Sequence, residues 1–411
     1  MSVDPIDWSR SMCLHRLVRA LLISLALILS GASADAAEPG TDLGKQLAAV
    51  RRRAAAVSPG TPAARDLARD LAQIGVGYLE AGDTGRAIEL LEEAYGWNEQ
   101  DGLLLAELTL AYVRAENYPF ARFYLELAER QAAGAPPEIY GTLGDVYYGL
   151  NRVEDAVLAW EQFERLRGHD PSVLKRLSAA RQELSLARGQ KVLELDDFTI
   201  YSDAAISPDM VDRVSQHLAE DYTAMSGFFQ VRLPYSQVVI LYAGRAYFSL
   251  VSIPDWVGGL FDGKIRISLD PEGGMTPRLD AVLRHELSHA LIRHASGDRA
   301  PGWVHEGLAQ WFEGKRLTIH DQREIFKNRR PVSIAEMDES FGRKTDRATA
   351  QSNYGEALGL IEYLIQHRGE GALVCLLRDL AEDMSIEEAL DRETGLTPGR
   401  LVSAWKAWVG L

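Results

Sequence analysis

The sequence is poor in cysteine and has no excess of positive charge. Only Cys13 and Cys375 occur in 411 residues, too few for the disulfide framework on which small secreted domains depend. Acidic residues outnumber basic ones by 59 to 44, which gives a formal net charge of -15. Because this balance repels phosphate backbones, nucleic acid is not expected as a partner.

The start of the chain has the pattern of a secretory signal peptide. Basic residues precede the apolar run from Ala20 to Leu29, and small residues follow it up to Ala37, as cleavage requires. The run is too short to cross about 30 Å of hydrocarbon. We therefore expect residues 1–37 to be removed on export across the inner membrane, which leaves a periplasmic chain. No later stretch has about 18 uninterrupted apolar residues, so no membrane span is predicted in the mature chain.

A repeated helical pattern follows a short linker. Residues 38–62 are mostly small and polar with Pro and Gly, which indicates a linker in which a helix could begin. Beyond it, Tyr78 recurs as Tyr112 and Tyr147 at spacings of 34 and 35 residues, the tetratricopeptide period. Small residues repeat at the same spacings: Ala87, Ala121 and Ala156. A helical bundle with accidental periodicity is the alternative interpretation.

Residues 63–188 therefore resemble three tetratricopeptide repeats followed by a capping helix. Such units bury their apolar faces only by stacking, so the array needs a terminal helix with a polar outer face. The stretch from Pro171 to Arg188 has that composition. The resemblance implies that a protein substrate or a partner protein binds to the repeats.

After Gly189 the pattern changes to strands mixed with helices, which indicates an α+β domain. Alternating or β-rich runs predict strands, and Ser-Pro predicts a helix start. The predicted order is a strand at 198–201, a helix from Ser207 to about Phe229, a strand at 238–242, and a hairpin at 260–269 with Asp262-Gly263 at its turn.

The stretch HELSH at residues 285–289 lies within a predicted helix that begins at Thr276-Pro277 and ends near Gly297. Four residues advance about 400° around a helix, so His285 and His289 project from one face and can bind one ion. Glu286 lies about 100° away, within reach of a water on that ion. The motif alone is a weak signal because zinc requires a third protein ligand.

A second motif supplies a candidate third ligand. Glu306, in WVHEGLA at 303–309, follows His289 after sixteen intervening residues. Together the two motifs resemble those of the gluzincin metallopeptidases, in particular the peptidase MA-like domains of bacterial proteins. The resemblance covers residues 190–411 and implies that Glu306 is the third zinc ligand. It also implies that Tyr354, within NYGEA, is a catalytic donor to the oxyanion.

Other ligand patterns fit less well. A metzincin requires glycine and histidine where this chain has Ile292 and Ala295. His305 and Asp298 remain alternatives for the third ligand. His294 lies about 140° from the ligand face, which favours a solvated or helix-end histidine.

Three further roles stay open. Tyr354 shares an apolar helical face with Leu358 and Ile361, so it could be a core residue rather than a donor. The strand at 264–269 resembles the edge strand along which gluzincins align extended substrates, although an ordinary hairpin strand is the alternative. Glu313 is predicted to be either a partner of a ligand or a surface charge.

The sequence thus predicts an α-helical tetratricopeptide repeat array followed by an α+β zincin-like metallopeptidase domain. Zn²⁺ on His285, His289 and Glu306 would activate a water with Glu286 as the base, and the repeats would recruit a protein or peptide substrate. The alternative is a non-proteolytic periplasmic scaffold with a structural zinc site. The presence of Glu286 favours catalysis, because a structural site needs no base.

Overall fold

The computed structural model describes residues 42–115, 117–132, 136–187, 189–250, 253–254, 257–326, 334, 337, 341, 347–382 and 384–410. The predicted signal peptide, Arg188 and Trp256 lie outside these residues. The described chain contains only helices up to residue 187, and a sheet with further helices from residue 191 onward. This order confirms the predicted helical repeat array followed by an α+β domain.

Eight helices form the N-terminal part of the described chain. They are α1 (Asp42–Ala54), α2 (Pro62–Glu80), α3 (Thr84–Trp97), α4 (Gly102–Arg114), α5 (Tyr118–Gln131), α6 (Glu138–Gly149), α7 (Val153–Arg167) and α8 (Pro171–Ala187). Helices α2 and α3, α4 and α5, and α6 and α7 pack as pairs, and α8 packs on α7. We call α2 to α8 the repeat array.

Helix α1 occupies much of the segment predicted as a linker. Its buried Leu47 and Val50 belong to the same apolar core as the first two helix pairs. The spacing of these two residues places them on one helical face. Residues 42–54 therefore extend the array instead of forming an open connection.

The repeated small residues mark the places where paired helices approach each other. Ala87, Ala121 and Ala156 have no exposed surface. At Gly144 in α6, an added Cβ would lie 2.3 Å from Nε1 of Trp160 in α7. Since no side chain fits at that distance, glycine is required there by packing, and the sequence period reflects these contacts.

The C-terminal unit, residues 191–409, has five strands and nine helices in its described part. They are β1 (Lys191–Glu194), β2 (Phe198–Ser202), α9 (Pro208–Phe229), β3 (Gln237–Ala243), α10 (Ala246–Leu250), β4 (Gly259–Phe261), β5 (Ile265–Leu269), α11 (Pro277–Ala295), α12 (Gly302–Phe312), α13 (Ile319–Phe326), α14 (Arg347–Arg368), α15 (Glu370–Ala381), α16 (Ile386–Thr394) and α17 (Pro398–Val409). Strands β2 to β5 and helix α9 confirm the predicted order, whereas the short β1 and α10 were not predicted.

The five strands form one mixed sheet in the order β1-β2-β3-β5-β4. Strands β2, β3 and β5 run parallel to one another, and β4 returns antiparallel to β5. Because β5 pairs on both sides, the strand at 264–269 is an ordinary hairpin strand, the second of the two interpretations, and not an edge strand. The hairpin places β4 outermost among the described strands, since β5 fills the position beside β3.

The two faces of the sheet have different neighbours. Ile265, Ile267 and Leu269 on β5 belong to the main apolar core, which also contains residues of α9 and α11. The opposite face includes Arg266, which is fully buried and bonded to a residue of α8. The sheet is therefore sandwiched between helix α11 and the end of the repeat array.

No described helix combines the length and apolar character that a bilayer crossing demands.

Candidate metal centre

Helix α11 carries the first two candidate ligands and begins and ends where its sequence predicts. Thr276 caps it, because its Oγ1 accepts a hydrogen bond from the Leu279 amide at 3.1 Å, and Pro277 occupies the first turn. Beyond its last residue, Gly297 has a φ of 61°, which favours glycine. Leu283 and Leu287 are completely buried and fix the helix against the sheet.

Three candidate ligands converge beside this helix. One ligand atom from each of His285, His289 and Glu306 lies within 4.8 Å of the others. Nε2 of His285 is 3.5 Å from Oε2 of Glu306, and Nε2 of His289 is 3.8 Å from Oε1. The two imidazoles and the carboxylate therefore face a common centre, as a three-ligand zinc site requires.

The remaining ring nitrogens are held by neighbours. Nδ1 of His285 lies 2.6 Å from Oε1 of Glu313, and Nδ1 of His289 lies 3.3 Å from Nδ1 of His305. Such outer partners fix the orientation of a ligating imidazole and leave Nε2 for the metal. The structure thus places His305 and Glu313 behind the two histidines.

The alternative candidates for the third ligand lie outside this group of three residues. Asp298 lies in the loop between α11 and α12, and its Oδ1 is 3.0 Å from Nε of Arg293 on α11. Only His285, His289 and Glu306 form a possible metal-binding group among the described residues. The alternatives Asp298 and His305 are therefore not part of the convergent ligand set.

Helix α12 is held tightly against α14, and this contact positions Glu306. A Cβ added at Gly307 would lie 2.6 Å from the carbonyl oxygen of Ala357, so only glycine allows the two backbones to meet. Nε2 of Gln310 donates to the carbonyl oxygens of Glu306, at 3.2 Å, and of Tyr354, at 2.6 Å. Sequence reasoning missed Gln310, although its place one turn after Glu306 was a usable signal.

The β4–β5 hairpin lies directly against the centre. A Cβ at Gly259 would be 2.6 Å from Oε1 of Glu286, and the Phe261 ring lies 6.3 Å from that of His289, centroid to centroid. Glu286 itself is only 6% exposed. The sequence analysis does not predict this close approach of β4 to the centre.

Burial and charge set the protonation states around the centre. Burial alone would lower the pKa of His285, but the neighbouring carboxylates of Glu306 and Glu313 raise it to about 10. Burial, helped by the carboxylates of Glu306 and Glu313, raises the pKa of Glu286 to about 7. Burial lowers the pKa of His289 to about 3. A cluster with this surplus of carboxylates favours a bound cation.

Tyr354 in α14 lies near the same carboxylates. Burial, followed by the negative charges of Glu306 and Glu286, raises the pKa of its hydroxyl well above the usual value. Its side chain is half-buried, whereas Leu358 and Ile361 on the same helix are fully buried. The tyrosine is therefore at the border of the apolar core, on the side of the candidate metal centre.

Comparison with known proteins agrees with this geometry. Residues 241–410, which contain every residue of the centre, match the sequence model of the Peptidase MA superfamily. No curated protein is significantly similar to the chain. Among solved structures, the NMR structure of the first TPR domain of the human RPAP3 protein covers 29% of this chain and 92% of its own, with 20% identity and a TM-score of 0.26. The region that matches the Peptidase MA superfamily therefore lies C-terminal to the helical repeats and includes the candidate metal centre.

Proposed function

We propose that the protein is an exported, zinc-dependent metallopeptidase that hydrolyses peptide bonds in the periplasm. The observation that carries this proposal is the convergence of His285, His289 and Glu306 beside the buried carboxylate of Glu286. The match of the same region to the Peptidase MA superfamily supports it.

The chemistry of the donor set fits Zn²⁺. Two imidazole nitrogens and one carboxylate leave a fourth position for water, the arrangement of catalytic rather than structural zinc sites. Oε2 of Glu306 is buried and makes no well-formed hydrogen bond in the described part of the chain. A buried carboxylate oxygen without such a bond is unfavourable, and a cation held by His285, His289 and Glu306 would satisfy it.

The protein's own groups can perform the proton transfers of hydrolysis. A bound zinc ion would supply Lewis acidity and lower the pKa of a water towards about 7. Glu286, next to His285 on α11, would take a proton from the attacking water at a side-chain oxygen while the water oxygen adds to the peptide carbonyl, and would then give that proton to the leaving amine as the C–N bond breaks. Burial raises the pKa of Glu286, which favours its holding the proton before passing it to the leaving amine.

Tyr354 is the proposed donor to the oxyanion. Its raised pKa keeps the hydroxyl protonated at neutral pH, so it can donate a hydrogen bond to negative charge that develops on the substrate carbonyl. The bond from Gln310 to the carbonyl oxygen of Tyr354 holds this part of α14 beside the third ligand.

In this proposal, β4 is the strand that aligns the substrate. It is the outer strand of the sheet and contacts α11 through Gly259 and Phe261. An extended peptide can add to such an edge by backbone hydrogen bonds. The repeat array would then recruit the protein that supplies the peptide, or a partner that regulates access.

Metal analysis and proteolysis of the wild type and of Glu286→Gln test the proposal. We expect zinc in both proteins and cleavage of an unfolded protein substrate by the wild type alone, with a loss of about 10²–10⁴-fold in the variant. Glu272→Gln makes the same chemical change at an exposed position and should cleave like the wild type. Zinc without cleavage by the wild type would favour a scaffold with a structural metal, and absence of zinc from every protein would refute the site.

A further inference from the structure

The repeat array is docked on the C-terminal unit at several points. Nη2 of Arg299 lies 3.3 Å from Oδ1 of Asp83, in the turn between α2 and α3. Nη2 of Arg293 donates to the carbonyl oxygen of Arg114, at the end of α4, at 3.1 Å. Both arginines belong to the segment between the HELSH motif and α12. The turns of the first two helix pairs thus contact the segment that leads from one set of candidate ligands to the other.

The third contact is buried and charged. Arg266 on β5 has no exposed side-chain surface, and its Nη1 donates to Oε1 of Glu183 on α8 and to the hydroxyl of Tyr242, each at 2.7 Å. The second carboxylate oxygen of Glu183 accepts a hydrogen bond from Tyr148, at the end of α6, also at 2.7 Å. Buried ion pairs are costly to form but are strongly destabilised when one partner is removed.

The same arginine also holds the turn of the β4–β5 hairpin. Its Nε donates to both carboxylate oxygens of Asp262, at 2.9 and 3.2 Å. Asp262 follows Phe261 directly, and Phe261 faces His289. One planar guanidinium therefore bonds the capping helix of the array on one side and the turn beside the metal centre on the other.

Lys264 adds a second link at the same place. Its Nζ is buried and lies 4.5 Å from the ring centre of Tyr148, a distance at which a cation is attracted to an aromatic face. Its backbone amide donates to Asp262 at 3.3 Å. Lys264 and Arg266, the two basic residues of the β4–β5 hairpin, thus both contact the array and the hairpin turn.

We propose that Arg266 is a positioning residue through which the repeat array fixes the β4–β5 hairpin against the metal centre. The array then acts as a rigid support of the substrate-aligning edge strand, in addition to any recruitment of protein. This inference rests on the proposed function, because it assigns the hairpin to substrate alignment.

The test uses the full mature chain loaded with zinc and compares Glu183→Gln and Tyr148→Phe with the wild type. Glu183→Gln keeps the shape of the side chain but removes the charge that pairs with Arg266. Tyr148→Phe is a milder change that removes one hydrogen bond and keeps the ring beneath Lys264. Arg181→Gln is the control, because Arg181 lies on the same helix and forms an exposed pair with Glu161.

Hydrogen exchange of residues 259–269 is the first measurement. We expect exchange in Glu183→Gln to be about 10-fold faster, since the variant loses the charge-assisted hydrogen bond with Arg266. Tyr148→Phe should show a smaller increase in the same segment, and Arg181→Gln none. Unchanged exchange in both Glu183→Gln and Tyr148→Phe would overturn the proposal, because the hairpin would then be held independently of the array.

Zinc affinity and steady-state cleavage are the second and third measurements. We expect the zinc affinity of Glu183→Gln to stay within twofold of the wild type, and KM for an extended peptide to rise more than kcat falls. A fall in kcat and zinc affinity together would indicate general damage to the centre and would also contradict the proposal. If the wild type cleaves no substrate, the proposed function fails, but hydrogen exchange still decides the role of Arg266.

Discussion

The repeat array and the C-terminal unit differ in what they bury. Among the described residues, eighteen polar or charged side chains are buried, and only Thr84, Thr109 and Glu183 belong to the array. Of these three, Glu183 bonds to the other unit. The array is therefore stabilised by apolar contacts of small and large side chains, whereas the C-terminal unit tolerates buried charge where its chemistry requires it.

This contrast separates stability from function along the chain. Burial of charge lowers stability unless the groups are paired. We therefore expect the buried charges of the C-terminal unit to serve a role other than stability. Changes in the array should therefore alter the free energy of unfolding, and changes around α11 and α12 should alter metal binding. Four substitutions test this contrast, and their expected effects decrease in the order in which they are given.

Glu306→Ala should nearly abolish stable zinc binding. Loss of one of three protein ligands should weaken affinity by more than ~1,000-fold, well beyond the ~10–100-fold effect of losing an outer partner. Competition with a chromogenic chelator measures this directly. Zinc affinity close to that of the wild type would reassign the third ligand to His305 or Asp298, and Glu272→Gln serves as the exposed control.

Leu91→Ala should damage the array and leave the metal centre intact. Leu91 has no exposed surface in the packed pair α2 and α3, and a large-to-small change in a core typically costs about 2–5 kcal/mol. Urea unfolding followed by circular dichroism gives the loss, and the chelator assay should show zinc affinity within twofold. A large drop in zinc affinity would show that packing within the repeat array also supports the metal centre.

Glu313→Gln should weaken zinc binding by ~10–100-fold, because it removes the carboxylate behind Nδ1 of His285. The free energy of unfolding of the metal-free protein should change little by comparison. The chelator assay gives the change in zinc affinity, and urea unfolding gives the change in the free energy of unfolding. We expect the first change to be large and the second to be small. An affinity equal to that of the wild type would mean that Glu313 does not orient the ligand.

Glu107→Gln should stabilise the repeat array, whereas Leu91→Ala should destabilise it. Burial, followed by the charge of Asp101, raises the pKa of Glu107 from 4.5 to about 8. Because the folded state binds the proton more tightly, this residue's contribution to stability is fully present below pH 4.5 and is lost as the pH rises through 8. The variant should gain ~1–2 kcal/mol at pH 8 and nothing at pH 4.

Thermal unfolding at the two pH values measures this difference. An equal effect of Glu107→Gln at pH 4 and pH 8 would contradict the assignment of the proton to Glu107.

Local sequence patterns predicted most of the fold. The spacing of Tyr78 and Tyr112 indicates the helix pairs, and Thr276 with Pro277 indicates the start of α11. These signals are local, since caps, turns and helical periods involve residues a few positions apart. The order of strands in the sheet is not local, and for that reason the sequence leaves open whether β5 is an edge strand or an inner strand of the hairpin.

The candidate site was predictable only in part. Helical geometry brings His285 and His289 together, and the resemblance named Glu306 and Tyr354. Contacts between distant segments, such as Gln310 with Tyr354 or Gly259 with Glu286, depend on packing that no single stretch specifies. Arg266 is the clearest example, because an arginine on a hairpin strand gives no sign that it will be completely buried.

The pairing of Arg266 with Glu183 also has a consequence for the order in which the molecule assembles. The two residues are 83 positions apart, and the contacts of Arg293 and Arg299 with the array span 179 and 216 positions. Contacts of such separation close late in folding, after the helices of the repeat array, whose contacts are local, have packed. The support that the repeat array gives to the hairpin beside the metal centre is therefore among the last parts of the fold to form.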